Sequence, residues 1–205
     1  QLAAAPEVFH TAWGALELSL GIEAGQTLLI RGGSSAVGLV AADYARAKGL
    51  TVLSTTRDPA KAGRLREFGV DHVVIDDGNI APTVRGIVPD GVDAMLDLVG
   101  TKVIADSFGC MRIGGTLCMA GLLGGEWAIA DFAPGAVIPS TTKFTYFSSS
   151  STPMPTSALQ GYLDGLADGR YRRPLDRVFR FDDIQAAHAC MESNQAIGKI
   201  VVSVV

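Results

Sequence analysis

The chain has 205 residues, 48% of them hydrophobic and 19% charged, and its net charge is −4. This length is ample for one sizeable α/β core and tight for two full domains. The mildly acidic balance argues against a nucleic-acid-binding surface or a polybasic membrane patch, and no apolar run is long enough to span a bilayer. The cysteines Cys110, Cys118 and Cys190 are widely spaced and are expected to be buried thiols of a reducing, cytoplasmic compartment. The histidines are equally isolated, so residue spacing predicts no metal site.

The first part of the chain has the pattern of a helix followed by a strand–turn–helix–strand unit. Apolar residues recur at helical spacing over residues 6–20, and a continuous apolar run follows over 26–31. A run without alternation is typical of a strand buried on both faces of a parallel sheet. A helix over 36–48 and a β-rich run over Thr51–Thr56 complete a βαβ unit of about 30 residues.

A turn of small residues joins this strand to its helix, with the sequence Gly32-Gly33-Ser34-Ser35-Ala36-Val37-Gly38. A pyrophosphate binds backbone N–H groups and the positive end of a helix dipole, and small residues allow its approach. The strict G-x-G-x-x-G spacing is absent because Ser35 replaces the middle glycine, although the Ser34 and Ser35 hydroxyls can themselves donate to phosphate. The alternative is an ordinary tight turn. Within a βαβ unit, the turn predicts a dinucleotide site.

The end of the second strand indicates which nucleotide binds. An NAD site usually carries an acidic residue there for the ribose hydroxyl, whereas this chain has Thr55-Thr56-Arg57 with Lys61 close behind. Hydroxyls, an arginine and a lysine suit a 2′-phosphate, so we predict NADP(H) rather than NAD(H). Asp58 stands near the acidic position, but the following proline favours a helix N-cap. Solvated surface charge is the alternative for Arg57 and Lys61.

The rest of the chain continues to alternate between helices and strands. The pattern predicts helices over 59–68, 80–88, 102–111, 157–169 and from Asp182 or Asp183 to residue 192. It predicts strands over 71–75, 91–100, 114–121, 143–147, 178–181 and 198–205, with 122–142 as a loop. The predicted fold class is α/β, a Rossmann doubly wound parallel six-stranded sheet with helices on both faces.

Ligands of such a sheet lie at the carboxyl ends of its strands. Gly100 and Gly121 end the fourth and fifth predicted strands, and their lack of a side chain is expected to leave room for a flat nicotinamide ring. Asp76 ends the third strand and is expected to pass near the adenine.

The sequence resembles the medium-chain dehydrogenase/reductase superfamily, and within it the zinc-free quinone oxidoreductase (zeta-crystallin-like) branch. The resemblance is carried by Phe9-His10-Thr11-Ala12-Trp13-Gly14-Ala15-Leu16, the glycine turn, Thr55-Thr56-Arg57 with Lys61, Gly69-Val70-Asp71-His72-Val73, Gly91-Val92-Asp93, Asp97-Leu98-Val99-Gly100 and Gly198-Lys199-Ile200-Val201. It implies hydride transfer between NADPH and a small-molecule substrate, which would be a quinone, an enone or another carbonyl compound such as an aldehyde.

The resemblance also implies roles for the matched positions. Ser35, Ala36 and Val37, next to Gly33, Ser34 and Gly38 of the same turn, would hold the pyrophosphate. Thr56, Arg57 and Lys61 would hold the 2′-phosphate, beside Thr55. Thr11, Gly100, Gly121 and Leu122 would lie near the nicotinamide, Leu98 and Val99 would belong to the same cofactor site, and Lys199 would sit at the cleft. No catalytic acid or base is assigned.

Members of this superfamily begin with a GroES-like substrate domain, which is absent here. Because the chain starts at Gln1 and not at a methionine, residues 1–205 are expected to be the NADP(H)-binding domain of something longer. The alternatives are a zinc-dependent alcohol dehydrogenase, an enoyl-reductase module of a synthase, and a nucleotide-binding sensor without turnover. The exposed sixth strand, Phe144 to Phe147, is expected to pair edge to edge in a homodimer.

Overall fold

The computed structural model describes residues 4–204. Six parallel strands form the main sheet, namely β1 (Thr27–Arg31), β2 (Thr51–Thr56), β3 (His72–Ile75), β4 (Val92–Asp97), β5 (Met111–Met119) and β6 (Lys143–Tyr146). Their order is β3-β2-β1-β4-β5-β6. The strand order therefore reverses between β1 and β4, which is where a doubly wound sheet opens a ligand crevice. The predicted α/β Rossmann fold is confirmed.

Helices cover both faces of the sheet. One face carries α1 (Pro6–Trp13), α2 (Ala36–Ala47), α3 (Ala62–Glu67) and α7 (Thr156–Ala167). The other face carries α4 (Ala81–Ile87), α5 (Ile104–Gly109) and the short α6 (Pro134–Val137). Each face of the sheet packs against its helices through its own cluster of buried apolar residues, so the sheet separates two hydrophobic cores.

The central strand β1 shows why an uninterrupted apolar run was needed. Leu28 and Ile30 belong to the cluster on the α2 face, whereas Leu29 belongs to the cluster on the α5 face. All three side chains are fully buried. Alternate residues of a strand point to opposite faces, and here both faces are covered.

Two of the predicted helices are not α-helical over their whole length. The helix over 6–20 is α-helical to Trp13 and continues as a π-helix over Gly14–Leu20, which Gly21 ends in the left-handed region. The helix over 59–68 begins with a 3₁₀ turn, Pro59–Lys61, before α3. The predicted cap at its start is confirmed, because the Asp58 carboxylate accepts a hydrogen bond from the Ala60 amide at 2.9 Å.

Two further boundaries differ from the prediction. The helix predicted over 102–111 ends at Gly109, and β5 begins at Met111. The segment 122–142, predicted as loop, contains α6.

The C-terminal part forms a second, smaller sheet. Its strands are β7 (Leu175–Arg180) and β8 (Lys199–Ser203), which pair in parallel across α8 (Ile184–Glu192). Asp183 occupies the N-cap position of α8 as predicted, but its side chain makes no capping hydrogen bond. Val205, the end of the strand predicted over 198–205, lies outside the described residues. No helix within residues 4–204 is long and apolar enough to cross a membrane.

Candidate functional site

A cavity of about 480 Å³ opens at the carboxyl ends of β1 to β4. Its wall brings together the turn after β1, the end of β2 and the loops that follow β3 and β4. Among the residues predicted from sequence, the wall contains Ser34, Ser35, Thr55, Thr56, Arg57, Asp76 and Val99. Segments that are far apart in the chain thus meet at the reversal of strand order, where the crevice was expected.

Two backbone amides of the turn after β1 are hydrogen-bonded to β2. The amide of Gly32 donates to the Thr55 hydroxyl oxygen, and the amide of Gly33 donates to the Thr55 carbonyl, both at 3.0 Å. Gly32 has a φ of +87°, a left-handed conformation that favours glycine. The turn is therefore fixed to the neighbouring strand before α2 begins.

Ser35 is the N-cap of α2. Its side-chain oxygen accepts a hydrogen bond from the Gly38 amide at 3.1 Å, and a hydroxyl that accepts in this way keeps its own proton to donate. The first amides of a helix have no partner within the helix, and they point out of its N-terminus. An anion at this end of the cavity would meet those amides and the positive end of the α2 dipole.

Close packing explains the last glycine of the turn. A Cβ atom on Gly38 would lie 2.6 Å from the Cα atom of Gly33, so the helix start packs directly on the turn backbone. Gly33, Ala36, Val37 and Gly38 shape the turn but do not line the cavity.

The two cations predicted for a 2′-phosphate lie in different surroundings. Arg57 is exposed and lines the cavity. Lys61 is buried, and its ammonium donates to the carbonyl oxygens of Asn194 at 2.5 Å and Ala196 at 3.2 Å. Lys61 is therefore not a solvated surface charge. It anchors a C-terminal segment whose residues Asn194 and Ala196 themselves line the cavity.

The other predicted site residues do not line the cavity, namely Thr11, Leu98, Gly100, Gly121, Leu122 and Lys199. The Thr11 hydroxyl is 3.5 Å from the Glu7 carboxylate, and the Lys199 ammonium is 3.3 Å from the same side chain. Thr11 and Glu7 lie one turn apart on α1, and Lys199 contacts that helix through Glu7.

Close packing also requires glycine at the two predicted strand ends. A Cβ atom on Gly100 would lie 2.8 Å from the Leu122 side chain, and one on Gly121 would lie 2.6 Å from the Leu98 carbonyl oxygen. A side chain at either position would thus meet the neighbouring turn. These glycines allow the loops after β4 and β5 to pack against each other.

Sequence reasoning missed a buried charge network behind the cavity. Arg31 ends β1 and is fully buried. Its guanidinium binds the Asp76 carboxylate through two hydrogen bonds of 2.9 Å each, and it lies 2.8 Å from the Asp106 carboxylate. Burial works to raise the pKa of Asp76, but the hydrogen bonds and charge of Arg31 outweigh it and hold that pKa below its usual range.

Asp97 extends this network to the loop after β4. Its carboxylate accepts hydrogen bonds from the Val99 and Gly100 amides at 2.8 Å each and from the Ser107 hydroxyl at 2.7 Å. Burial raises the pKa of Asp97 even though these donors oppose the shift. The signal that could have revealed the network is a charged residue at the end of an otherwise apolar, doubly buried strand.

No group of three or more His, Cys, Asp or Glu side chains suited to a metal ion occurs within residues 4–204.

Comparison with known proteins gives a consistent set of relatives. A family model described as zinc-binding dehydrogenase matches residues 68–202. A probable quinone oxidoreductase of Schizosaccharomyces pombe is 23% identical over 94% of this chain and 59% of its own length. A highly reducing polyketide synthase of Cryptosporiopsis is 26% identical over 99% of this chain and 9% of the synthase.

Among solved structures, the crystal structure of a 2-haloacrylate reductase aligns with a TM-score of 0.84 and 22% identity, covering 100% of this chain and 66% of that one. At this identity, the alignment supports the fold alone. The chain spans less than two thirds of the length of either curated relative.

Proposed function

The chain belongs to the zinc-binding dehydrogenase family, and we propose that it is the NADP(H)-binding domain, over residues 1–205, of an oxidoreductase. The reaction would be hydride transfer to a quinone, an enone or another carbonyl compound. The observation that carries the proposal is that Arg57 shares one cavity wall with the small-residue turn at the start of α2. A cation and a helix N-terminus around one cavity suit a ligand that carries phosphate groups at two places.

The pyrophosphate would lie at the start of α2. Ser34 and Ser35 line the cavity there, and the capping geometry of Ser35 leaves its hydroxyl proton available. The turn offers backbone amides and no bulky side chain, which is what a close approach by phosphate requires.

The 2′-phosphate would lie at the end of β2. Arg57 is our candidate for its direct ligand, because a guanidinium can donate to phosphate through two parallel hydrogen bonds. Thr56 lines the same wall. Lys61 would join them only by leaving the carbonyl oxygens of Asn194 and Ala196, so we expect its main contribution to be the placement of that segment.

The nicotinamide would extend toward the ends of β4 and β5, where Val99 and Leu123 line the cavity. The residues proposed around it are Thr11, Leu98, Gly100, Gly121, Leu122 and Lys199. Bound NADPH supplies the hydride. The chain itself would hold and orient the dinucleotide, and we assign it no catalytic acid or base. Hydride transfer requires the substrate to be held in contact with the nicotinamide, and we propose that a further domain of the protein supplies the substrate site.

A second candidate is the enoyl-reductase module of a polyketide synthase. The alignment with a highly reducing polyketide synthase over 99% of this chain favours it. The two candidates share the cofactor chemistry and differ in the substrate, which would be a carrier-bound enoyl thioester in the second. The rate of NADPH consumption by the full-length protein, measured with such a thioester and with a free quinone, would separate them. Faster consumption with the thioester would favour the enoyl-reductase module.

Calorimetric titration of this chain with NADPH and with NADH, at two salt concentrations, tests the proposal. We expect NADPH to bind more tightly than NADH, and we expect its affinity to fall as the salt concentration rises, because salt screens the charged contact. NADH should bind weakly and show less salt dependence. Equal affinities would contradict the 2′-phosphate site, and the absence of binding by either nucleotide would contradict the cofactor assignment for this chain.

A further inference from the structure

We propose that Arg31 is a positioning residue that sets the cavity's preference for a phosphorylated ribose, by cancelling the charge of Asp76. The inference rests on the proposed function, and it concerns a residue that itself lies outside the cavity wall. Asp76 is one of three acidic residues of the cavity wall, with Asp58 and Asp77, and Arg31 is the cation bound to it.

Arg31 and Asp76 are joined by two hydrogen bonds between their side chains. Arg31 Nε donates to Asp76 Oδ2, and Arg31 Nη2 donates to Asp76 Oδ1, each at 2.9 Å. The Arg31 side chain is 0% exposed and the Asp76 side chain is 10% exposed. A guanidinium and a carboxylate joined in this way are a fork–fork pair, which fixes the orientation of both groups.

Asp76 lies beside the proposed phosphate position. It lines the same cavity as Thr56 and Arg57, its amide donates to the Thr56 carbonyl at 2.9 Å, and its Oδ2 atom is 3.4 Å from the Thr55 hydroxyl. A phosphate bound to Arg57 would therefore approach a carboxylate. If that carboxylate were unpaired, it would repel the dianion at the point where the cavity is meant to attract it.

The guanidinium of Arg31 also has acidic neighbours other than Asp76. The nearby Asp106 carboxylate lies 2.8 Å from Arg31 Nη1. Asp97 accepts from Ser107, which in turn accepts from Arg31 Nη1 at 2.9 Å. One guanidinium thus binds two carboxylates directly and is linked to a third, that of Asp97, through Ser107. Among the described residues, no other cation makes an ion pair with Asp76. Without Arg31, the cavity wall would gain uncompensated negative charge.

A purely structural role makes a different prediction. If Arg31 only supports the loops after β3 and β4, its loss should weaken NADPH and NADH equally. If it cancels the charge of Asp76, its loss should weaken NADPH far more, because NADH lacks the 2′-phosphate. The ratio of the two dissociation constants therefore separates charge compensation from simple support.

The test is a double-mutant cycle on this chain with Arg31→Met, Asp76→Asn and the double variant, each titrated with NADPH and NADH. For Arg31→Met we expect the NADPH preference to fall by about tenfold or more, and in the double variant to return to within about threefold of the unaltered chain. Arg31→Lys keeps the charge and should retain most of the preference. Asp76→Asn alone should raise the preference, because it leaves Arg31 less fully compensated.

The outcomes separate this inference from the proposed function. An unaltered chain that prefers NADPH, combined with an unchanged ratio in Arg31→Met, would overturn the role of Arg31 alone. If Arg31→Met does not fold, as judged by circular dichroism, Asp76→Asn decides, and an unchanged preference in that variant overturns the inference. An unaltered chain that binds neither nucleotide, or that prefers NADH, overturns both.

Discussion

The ammonium of Lys61 lies 2.5 Å from the carbonyl oxygen of Asn194, although the two residues are 133 positions apart in the chain. A second bond of this kind runs from Arg64 Nη2 to the Leu175 carbonyl at 3.2 Å. Lys61 and Arg64 therefore bind the chain just before β8 and the first residue of β7, which lie at the same end of the small parallel β7–β8 sheet. Because Asn194 lines the cavity, this attachment connects the C-terminal segment to the candidate site.

Replacing Lys61 with methionine should release that segment. The carbonyl oxygens of Asn194 and Ala196 would lose a charged donor, and hydrogen bonds of this kind contribute about 1.5–3 kcal/mol each. We expect the free energy of unfolding to fall by about 2 kcal/mol in urea denaturation. Lys143→Met, at an exposed position of the edge strand β6, is the control and should change stability little. Equal stability of the two variants would show that the buried bonds are dispensable.

Replacing Arg57 with alanine should affect one nucleotide only. Loss of a charged hydrogen-bonded contact of about 1.5–3 kcal/mol corresponds to a decrease in NADPH affinity of roughly 10- to 100-fold. NADH, which has no 2′-phosphate, should bind as before. Arg66→Ala removes an exposed arginine outside the cavity wall and should alter neither affinity. A parallel loss of NADH binding in Arg57→Ala would point to a general effect on the pocket.

The sequence predicts the architecture well where the physics is local or periodic. The doubly apolar run of β1, the small-residue turn and the capping pair Asp58 and Pro59 all depend on near neighbours in the chain, and each appears where the pattern placed it. The meeting of the turn with Thr56 and Arg57 in one cavity also follows, because the order of strands in a βαβ unit is nearly fixed.

The rest depends on contacts that no local pattern reveals. Arg31 is 45 residues from Asp76, and nothing in the spacing indicates that the two form a buried pair. In the sequence, Lys61 cannot be distinguished from a solvated surface lysine. Its partners, the carbonyl oxygens of Asn194 and Ala196, are revealed only by the fold. The π-helical winding of Gly14–Leu20 is likewise not evident from the sequence, because its apolar spacing is compatible with an ordinary α-helix.

The edge strand β6 leads to a prediction about assembly. It ends the sheet, its residues Phe144 and Tyr146 are exposed, and an uncovered edge can pair with a second copy. We expect the chain to sediment as a dimer at micromolar concentration and Tyr146→Lys to sediment as a monomer, because a charged residue on an edge strand disfavours edge-to-edge pairing. A monomer for the unaltered chain would contradict the edge-paired dimer.

The Arg31–Asp76 pair leads to a prediction about acid stability. Burial works to raise the pKa of Asp76, but Arg31 lowers it by more, so the folded protein holds this carboxyl at a pKa below that of the unfolded chain. Between those two values the unfolded state binds the extra proton, and stability decreases as pH falls. The stabilisation is therefore present above about pH 4 and is lost below it, with a slope of up to about 1.4 kcal/mol per pH unit.

Urea denaturation between pH 2.5 and 6 measures this slope. Asp76→Asn cannot titrate at this position, so its stability should fall less steeply below about pH 4 than that of the unaltered chain. The variant is expected to be less stable near neutral pH because the ion pair is lost, and the two curves should converge toward acid. Parallel curves would show that Asp76 does not contribute to the acid transition.

Two helical glycines, one in α2 and one in α3, should respond to alanine in opposite directions. At Gly38 a Cβ atom would lie 2.6–2.8 Å from backbone atoms of Gly33, whereas at Gly63, in α3, nothing lies within 4 Å of the corresponding position. Alanine favours a helix over glycine by about 0.5–1 kcal/mol, and Gly63→Ala should gain that amount. In Gly38→Ala the clash with a rigid backbone should outweigh the same gain, with a net loss of about 1–3 kcal/mol.

The Gly38 substitution should also displace the turn from Thr55, because the strained atoms belong to the residue that donates to the Thr55 carbonyl. NADPH and NADH affinities should then fall together, since both carry the pyrophosphate that this turn would hold. Thermal unfolding and calorimetry of both variants measure the two effects. A Gly38→Ala variant as stable as Gly63→Ala would mean that the turn relaxes freely, and that its close packing on α2 is not what shapes the phosphate end of the cavity.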